Sequence, residues 1–295
     1  MTVRLIRYAR NYPLWFYAVL GLGWAYGLTS LFRVGQGDDA GPSASGLVVT
    51  AGTVGLTHFL FRAVDDVRDL DYDRVQNPRR PLVTGAVRVL DLMLLFFCGM
   101  VVLLLVNAPR GTPVWGYAAL CGWTCLVLAV EKWAQWPRPE QLLLQLFVNL
   151  PLQLLFGFYV FLGSGSAHGR TLGGLDLVAI AGFVLCVWHL EFARRLTREP
   201  AAHTRTYVRQ LGVNGTAAVT LATAVGSCVA ELAVAQPWLG GDRAWGWLLP
   251  AVLPFPAVAA VRFFKGAPRW PMSLAVLYVL TSFVAFGALG LPHLQ

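Results

Sequence analysis

Residues 61–85 read FRAVDDVRDLDYDRVQNPRRPLVTG and hold Asp65, Asp66, Asp69, Asp71 and Asp73. Five of the chain's 15 acidic residues thus fall within nine positions. Arg62, Arg68, Arg74, Arg79 and Arg80 are interleaved with them. The run that leads into this block, from residue 44, is apolar and has the ~20 residues that cross a bilayer. A dense block of charge at the end of such a run marks the junction between a membrane helix and a polar face.

Working outward, the rest of the chain repeats the apolar half of that pattern. It is 57% hydrophobic and 13% charged, with a mean hydropathy of +0.59. Soluble domains carry about 25% charged residues. The expected fold class is therefore all-α: one polytopic membrane domain over 1–295, with nine transmembrane helices bundled around a central cavity. The spans are expected near 12–33, 44–66, 89–108, 112–131, 140–163, 174–197, 214–234, 244–264 and 271–291. Gly, Pro and Asn punctuate them, at 35–41, 107–113, 137–139, 163–173, Pro200, 240–241 and 266–268. The basic N-terminus lacks a small-residue cleavage site after its apolar run, so that run is expected to remain as a span.

The arginines test this map. With the N-terminus in the cytoplasm, nineteen of the chain's 23 Lys and Arg fall on the cytoplasmic side. Only Arg33, Arg110, Arg170 and Arg243 fall on the other. Such an asymmetry follows the positive-inside rule. It implies an integral cell-membrane protein with its C-terminus outside and its charged motifs toward the cytoplasm. The net charge of +8 is then a matter of topology and implies no nucleic acid partner. The five cysteines lie inside apolar runs without metal-ligand spacing, and read as small buried hydrophobes.

On a continuous helix His58, Arg62, Asp66, Asp69 and Asp73 share one face, with Asp65 beside them. Asp71 points elsewhere and is expected only to solvate the loop. Carboxylates packed this closely repel one another and require a cation. Hard divalent ions such as Mg²⁺ bind one or two carboxylates together with substrate phosphates. The spacing therefore reads as a carboxylate bridge for Mg²⁺ holding a diphosphate. The plain alternative is a solvated loop of Asp–Arg pairs, set aside here because the chain is otherwise so poor in acids.

The segment resembles the first Asp-rich signature of the UbiA superfamily of membrane prenyltransferases, NDxxDxxxD followed by RPLxxG. Asp66, Asp69 and Asp73 stand at its acidic positions, and Asp65 stands where the family has Asn. Arg80, Pro81, Leu82 and Gly85 match the following element. The resemblance implies a nine-helix bundle, a Mg²⁺ cofactor and a prenyl diphosphate substrate. The family's second signature, DxxxDxxxD after span 6, is not reproduced. This chain has WHLEFARRLTREP there, with Glu191, Arg194, Arg195 and Arg198 spaced along one helical face. Glu191 reads as a further metal ligand and the arginines as a diphosphate clamp, the plainer alternative for any single arginine being positive-inside anchoring.

This second motif resembles a divergent branch that includes UbiA-type terpene cyclases. The resemblance implies ionisation of a C15 or C20 prenyl diphosphate (farnesyl or geranylgeranyl diphosphate) and cyclisation of the resulting cation within the membrane. Asp65, Asp66, Asp69, Asp73 and Glu191 would hold the metal. Arg62, Arg80, Arg194, Arg195 and Arg198 would bind the diphosphate. The alternative is transfer of the prenyl group to a hydrophobic aromatic or quinone-like acceptor. A transporter or lipid-binding protein, with the charged motifs as gates, is the third reading.

Span 5 carries Gln141, Gln145, Asn149 and Gln153 at four-residue steps, a slowly winding polar stripe. Gln145, Asn149 and Gln153 read either as cavity lining or as amide bonding between helices. Mid-span aromatics such as Phe156 and Phe183 would pack the core or face a carbocation. His58 and His189 read as packed, hydrogen-bonded histidines.

Overall fold

A computed structural model of the chain describes residues 2–37, 43–165, 171–201 and 204–291. Arg170 and parts of the connections at 35–41 and 163–173 lie outside the described residues. The helices are α1 (Thr2–Arg10), α2 (Leu14–Leu22), α3 (Leu28–Gln36), α4 (Ala44–Arg68), α5 (Leu70–Gln76), α6 (Val89–Asn107), α7 (Thr112–Ala134), α8 (Leu142–Gly165), α9 (Gly174–Arg194), α10 (Val208–Ala235), α11 (Pro254–Phe264) and α12 (Met272–Ala288). A π-helical turn over Gly23–Gly27 joins α2 to α3. Among the described residues there is no strand, and one isolated bridge pairs Thr197 with Arg269.

Eight segments are long and apolar enough to cross a membrane, and Met272–Ala288 is a shorter apolar helix. Among the described residues, these eight segments and the shorter helix agree with the nine-helix fold class read from the sequence. The chain is an integral membrane protein. Two segments depart from the expected spans. The eighth is 3₁₀-helical over Gly241–Leu248 before α11 begins; Pro250, between the two, and Pro254, at the start of α11, cannot donate to an α-helical ladder. The seventh starts at Val208, ahead of 214, and breaks at Gly212, whose φ of 69° is left-handed.

Consecutive spans pack side by side around the bundle, and α12 returns to pack on the π turn, which closes the ring. Close backbone approach holds the first pair. A Cβ at Gly55 would lie 2.6 Å from the Tyr17 carbonyl oxygen, and one at Gly21 would lie 2.2 Å from that of Ala51. Small residues permit this, and lipid offers no hydrophobic force to replace it. Aromatic rings fill the middle. Trp24 lies 4.6 Å from Phe183, and His58 stacks on Phe156 at 4.5 Å.

Candidate active site

The acidic segment does not stay one helix. α4 ends at Arg68, and Asp69 adopts φ −93°, ψ 10° before α5 begins. The expected continuous face through residues 58–73 is therefore broken at Asp69. Asp66 and Asp73 sit on different helices, yet both are buried. The segment after α5 brings them together. Thr84 donates its N–H to the Arg80 carbonyl and Val87 to that of Pro81, and Leu82 is buried among Tyr8, Phe59, Ala63, Val87 and Leu92. Gly85, at φ 74°, closes the turn in a conformation that side chains disfavour. This compact turn aims Arg80 back at the helices.

Arg80 then bridges the two acids. Its Nη1 donates to Asp66 Oδ1 at 3.2 Å and also to Asp73 Oδ2. Asp66 further accepts from Arg62 of its own helix, from the Tyr8 hydroxyl at 2.8 Å and from the Tyr12 hydroxyl. Asn77 donates to Asp73 at 2.9 Å. Burial, and then the charge of Asp66, push the Tyr8 hydroxyl well above the ordinary tyrosine value. Tyr8 therefore keeps its proton and donates.

The second cluster is built on the last turn of α9. Glu191 accepts from Arg194 at 2.5 Å, from Arg195 at 2.9 Å and from the Tyr207 hydroxyl at 3.1 Å. The link between the clusters is Arg205, in the loop after α9. Its Nη1 donates to Asp69 at 2.6 Å, and its guanidinium lies over the Tyr72 ring at 4.6 Å. On α7, Glu131 pairs with Arg68 at 3.4 Å, and Arg68 also lies 3.8 Å from Asp65. Five helices, and the connections after α1, α5 and α9, therefore converge on one arginine-rich end. A cleft of about 420 Å³ opens beside it, lined by Asn11, Tyr12, Asn77, Arg79, Arg80 and Pro81 among others.

Arg198 is spent elsewhere. It donates to the carbonyl oxygens of Phe263 at 2.6 Å and Ala267 at 3.2 Å, and lies over the Phe263 ring. It closes the C-terminal end of α11, where free carbonyls attract a cation, so the structure does not bring it together with Glu191, Arg194 and Arg195. Asp71 pairs with Arg74 in solvent. Gln145 donates to the Arg138 carbonyl and Asn149 to that of Gln145, whereas the buried Gln153 side-chain oxygen Oε1 has no partner among the described residues. Gln145 and Asn149 thus bond locally along the chain. His189 donates to the Thr220 carbonyl of α10 at 2.8 Å, a structural bond.

Tyr8, Tyr12, Arg205 and Glu131 join the site without standing in either charged motif. The four-residue step between Tyr8 and Tyr12 was a faint signal for a shared face. Nothing in the sequence signals the other two.

Among the described residues no three His, Cys, Asp or Glu side chains already converge as a metal site. The donor chemistry is that of a hard divalent cation, since carboxylate oxygens suit Mg²⁺. Arg80 supplies the geometric argument. Its guanidinium stands between Asp66 and Asp73, so the space between these acids already takes positive charge.

No protein-family model matches the chain, and no curated protein does. Among solved structures, it is similar to the apo structure of a UbiA homolog from Aeropyrum pernix K1. The two are 17% identical, the match covers 94% of this chain and 98% of the other, and the TM-score is 0.66. The fold is UbiA-like. Identity this low is evidence about the fold alone. In this UbiA-like bundle the two charged motifs end α4 and α9, on the same end as the cleft.

Proposed function

We propose that this chain ionises a C15 or C20 prenyl diphosphate within the membrane and cyclises the resulting allylic cation. The observation that carries the reading is the pair of buried acids bridged by Arg80, at one end of a bundle packed with aromatic rings. Asp66, Asp69 and Asp73, with Asp65 and Glu191 as further carboxylates, would hold Mg²⁺. When bound, the ion supplies charge neutralisation for the leaving diphosphate. Arg62, Arg80, Arg194 and Arg195 would turn from carboxylates to phosphate oxygens, which guanidinium binds in the same forked geometry. Tyr8 and Tyr12 hold Asp66 in place and donate to whichever of its oxygens faces them. The packed rings of Trp24, Phe156 and Phe183 keep water from the carbocation, and their faces stabilise positive charge by about 0.5–2 kcal/mol each.

Transfer to a hydrophobic aromatic or quinone-like acceptor is the second reading. The groove between α7 and α8 favours it. That groove holds about 340 Å³ and is lined by Trp123, Val127, Trp136, Phe147 and Pro151 among others. On either reading the arginine-rich end faces the cytoplasm.

The test is to incubate the purified protein with farnesyl or geranylgeranyl diphosphate and Mg²⁺, without acceptor, and extract into organic solvent. A cyclic hydrocarbon or alcohol supports the cyclase. Diphosphate release only after an aromatic acceptor is added supports the transferase. Absence of release under both conditions overturns both readings and leaves a transporter or lipid-binding protein.

A further inference from the structure

Helix α1 has two faces. Arg4 and Tyr8 point into the protein, and Tyr8 is fully buried. Arg4 grips Asp91 with two hydrogen bonds, of 2.6 and 2.9 Å. The opposite arc carries Val3, Ile6, Arg7 and Arg10, at spacings of three, four and seven residues, which lie together on a helix. Val3 is 72% exposed and Ile6 49%. Arg7 and Arg10 are exposed as well, and neither guanidinium has a partner among the described residues. Leu14 and Trp15, at the start of α2, extend the apolar surface.

The depth of this face follows from the Arg4–Asp91 pair. Asp91 lies in the first turn of α6, a membrane span whose neighbouring Leu90 is also exposed. A helix clamped to the first turn of a span lies at headgroup level. Apolar side chains beside unpaired arginines at that level suit one environment, the boundary between acyl chains and anionic headgroups.

We infer that the outer face of α1 binds the anionic phospholipids of the leaflet at the arginine-rich end. Val3 and Ile6 enter the acyl region, while Arg7 and Arg10 pair with lipid phosphates. The inner face carries the consequence. The same helix presents Tyr8 to Asp66, so lipid that seats α1 also holds this donor on the buried acid. The lipid surface is thereby linked to the acidic cluster whatever that cluster does.

Hydrogen exchange of the backbone amides of residues 2–12 tests this. The full chain is placed in nanodiscs of phosphatidylcholine alone and of an equimolar mixture with phosphatidylglycerol. The anionic discs should slow exchange by about thirtyfold at low salt, from two arginines each near an anionic surface. High salt should shrink the difference. The double variant Arg7→Gln/Arg10→Gln, whose changes lie on the exposed face, should abolish it. Inorganic phosphate added to neutral discs should leave exchange unchanged. Equal exchange in both lipids, a difference that survives the double variant, or protection by free phosphate overturns the proposal.

Discussion

Arg205 donates to Asp69 across 2.6 Å, joining residues 136 positions apart in the chain. It ties the loop after α9 to the break between α4 and α5, so the two charged motifs are held as one unit. Arg205 and Asp69 are 23% and 29% exposed at their side chains, shielded enough for the pair to matter. Hydrogen bonds to charged groups contribute about 1.5–3 kcal/mol. Arg205→Gln should therefore lower kcat/KM for diphosphate release by about tenfold to a hundredfold. Steady-state release kinetics check it, and an unchanged kcat/KM would mean that the link is ornamental to the chemistry.

Asp66 collects more partners than any other acid of the site. Replacing it with Asn removes the charge that Arg62 and Arg80 share, so diphosphate release should fall by at least about a hundredfold, the usual consequence of deleting a preorganised electrostatic group. Tyr12→Phe removes a single donor and should cost less, about tenfold. Single-turnover assays on both variants decide it; a larger loss in Tyr12→Phe than in Asp66→Asn would reverse the assigned roles.

Arg198 offers a contrast within the same motif. Its hydrogen bonds end on carbonyls of α11 and of the turn that follows. Arg198→Gln should lower thermal stability by about 1–3 kcal/mol while leaving the KM for prenyl diphosphate unchanged. Thermal unfolding in detergent and substrate saturation curves measure the two effects separately. A raised KM with unaltered stability would return Arg198 to the substrate clamp.

Tyr8 gives a pH prediction. Its folded value is raised above the ordinary 10.0, first by burial and then by Asp66. The protonated form is the one favoured in the folded state. Its stabilisation is therefore fully present below the unfolded value and is lost as pH rises through the folded one. Spectrophotometric titration of Tyr8→Phe should show no fewer tyrosines ionising near the ordinary value than the unaltered chain. Loss of one such group would show that Tyr8 is hydrated.

The crossing of α2 and α4 is testable through two neighbouring glycines. A side chain at Gly55 meets the Tyr17 backbone, whereas a Cβ at Gly52 has nothing within 4 Å. Gly55→Val should destabilise by about 1–3 kcal/mol, the cost of overpacking. Gly52→Ala should be neutral or stabilising by up to about 1 kcal/mol, through helix propensity. Unfolding in mixed micelles ranks them; equal stability would remove the close crossing from the account.

What the sequence determined by itself is the part set by length and polarity. Apolar runs such as 44–66 must form helices, because lipid leaves no other partner for backbone groups. The clustering of Asp65–Asp73 located the charged end, and the spacing of Glu191, Arg194 and Arg195 put them on one helical face, but not their pairing with one another. Gly85 and the turn it closes were visible as a motif, but not the aim of Arg80 that the turn creates.

Tertiary structure decided the partners. Asp69 breaks the helix, so period 3.6 could not place Asp73 relative to Asp66. Tyr8 reaches Asp66 across 58 positions and Arg205 reaches Asp69 across 136, distances over which side-chain periodicity carries no information. Arg198 shares a helical repeat with Arg194 and Arg195, yet the chain leaves the helix at Arg195, and the free carbonyls of another helix claim it. A local pattern fixes which face a residue occupies only while the helix continues. Where the backbone turns, charge finds the nearest unsatisfied partner in space, and only the packing of the whole bundle determines which partner that is.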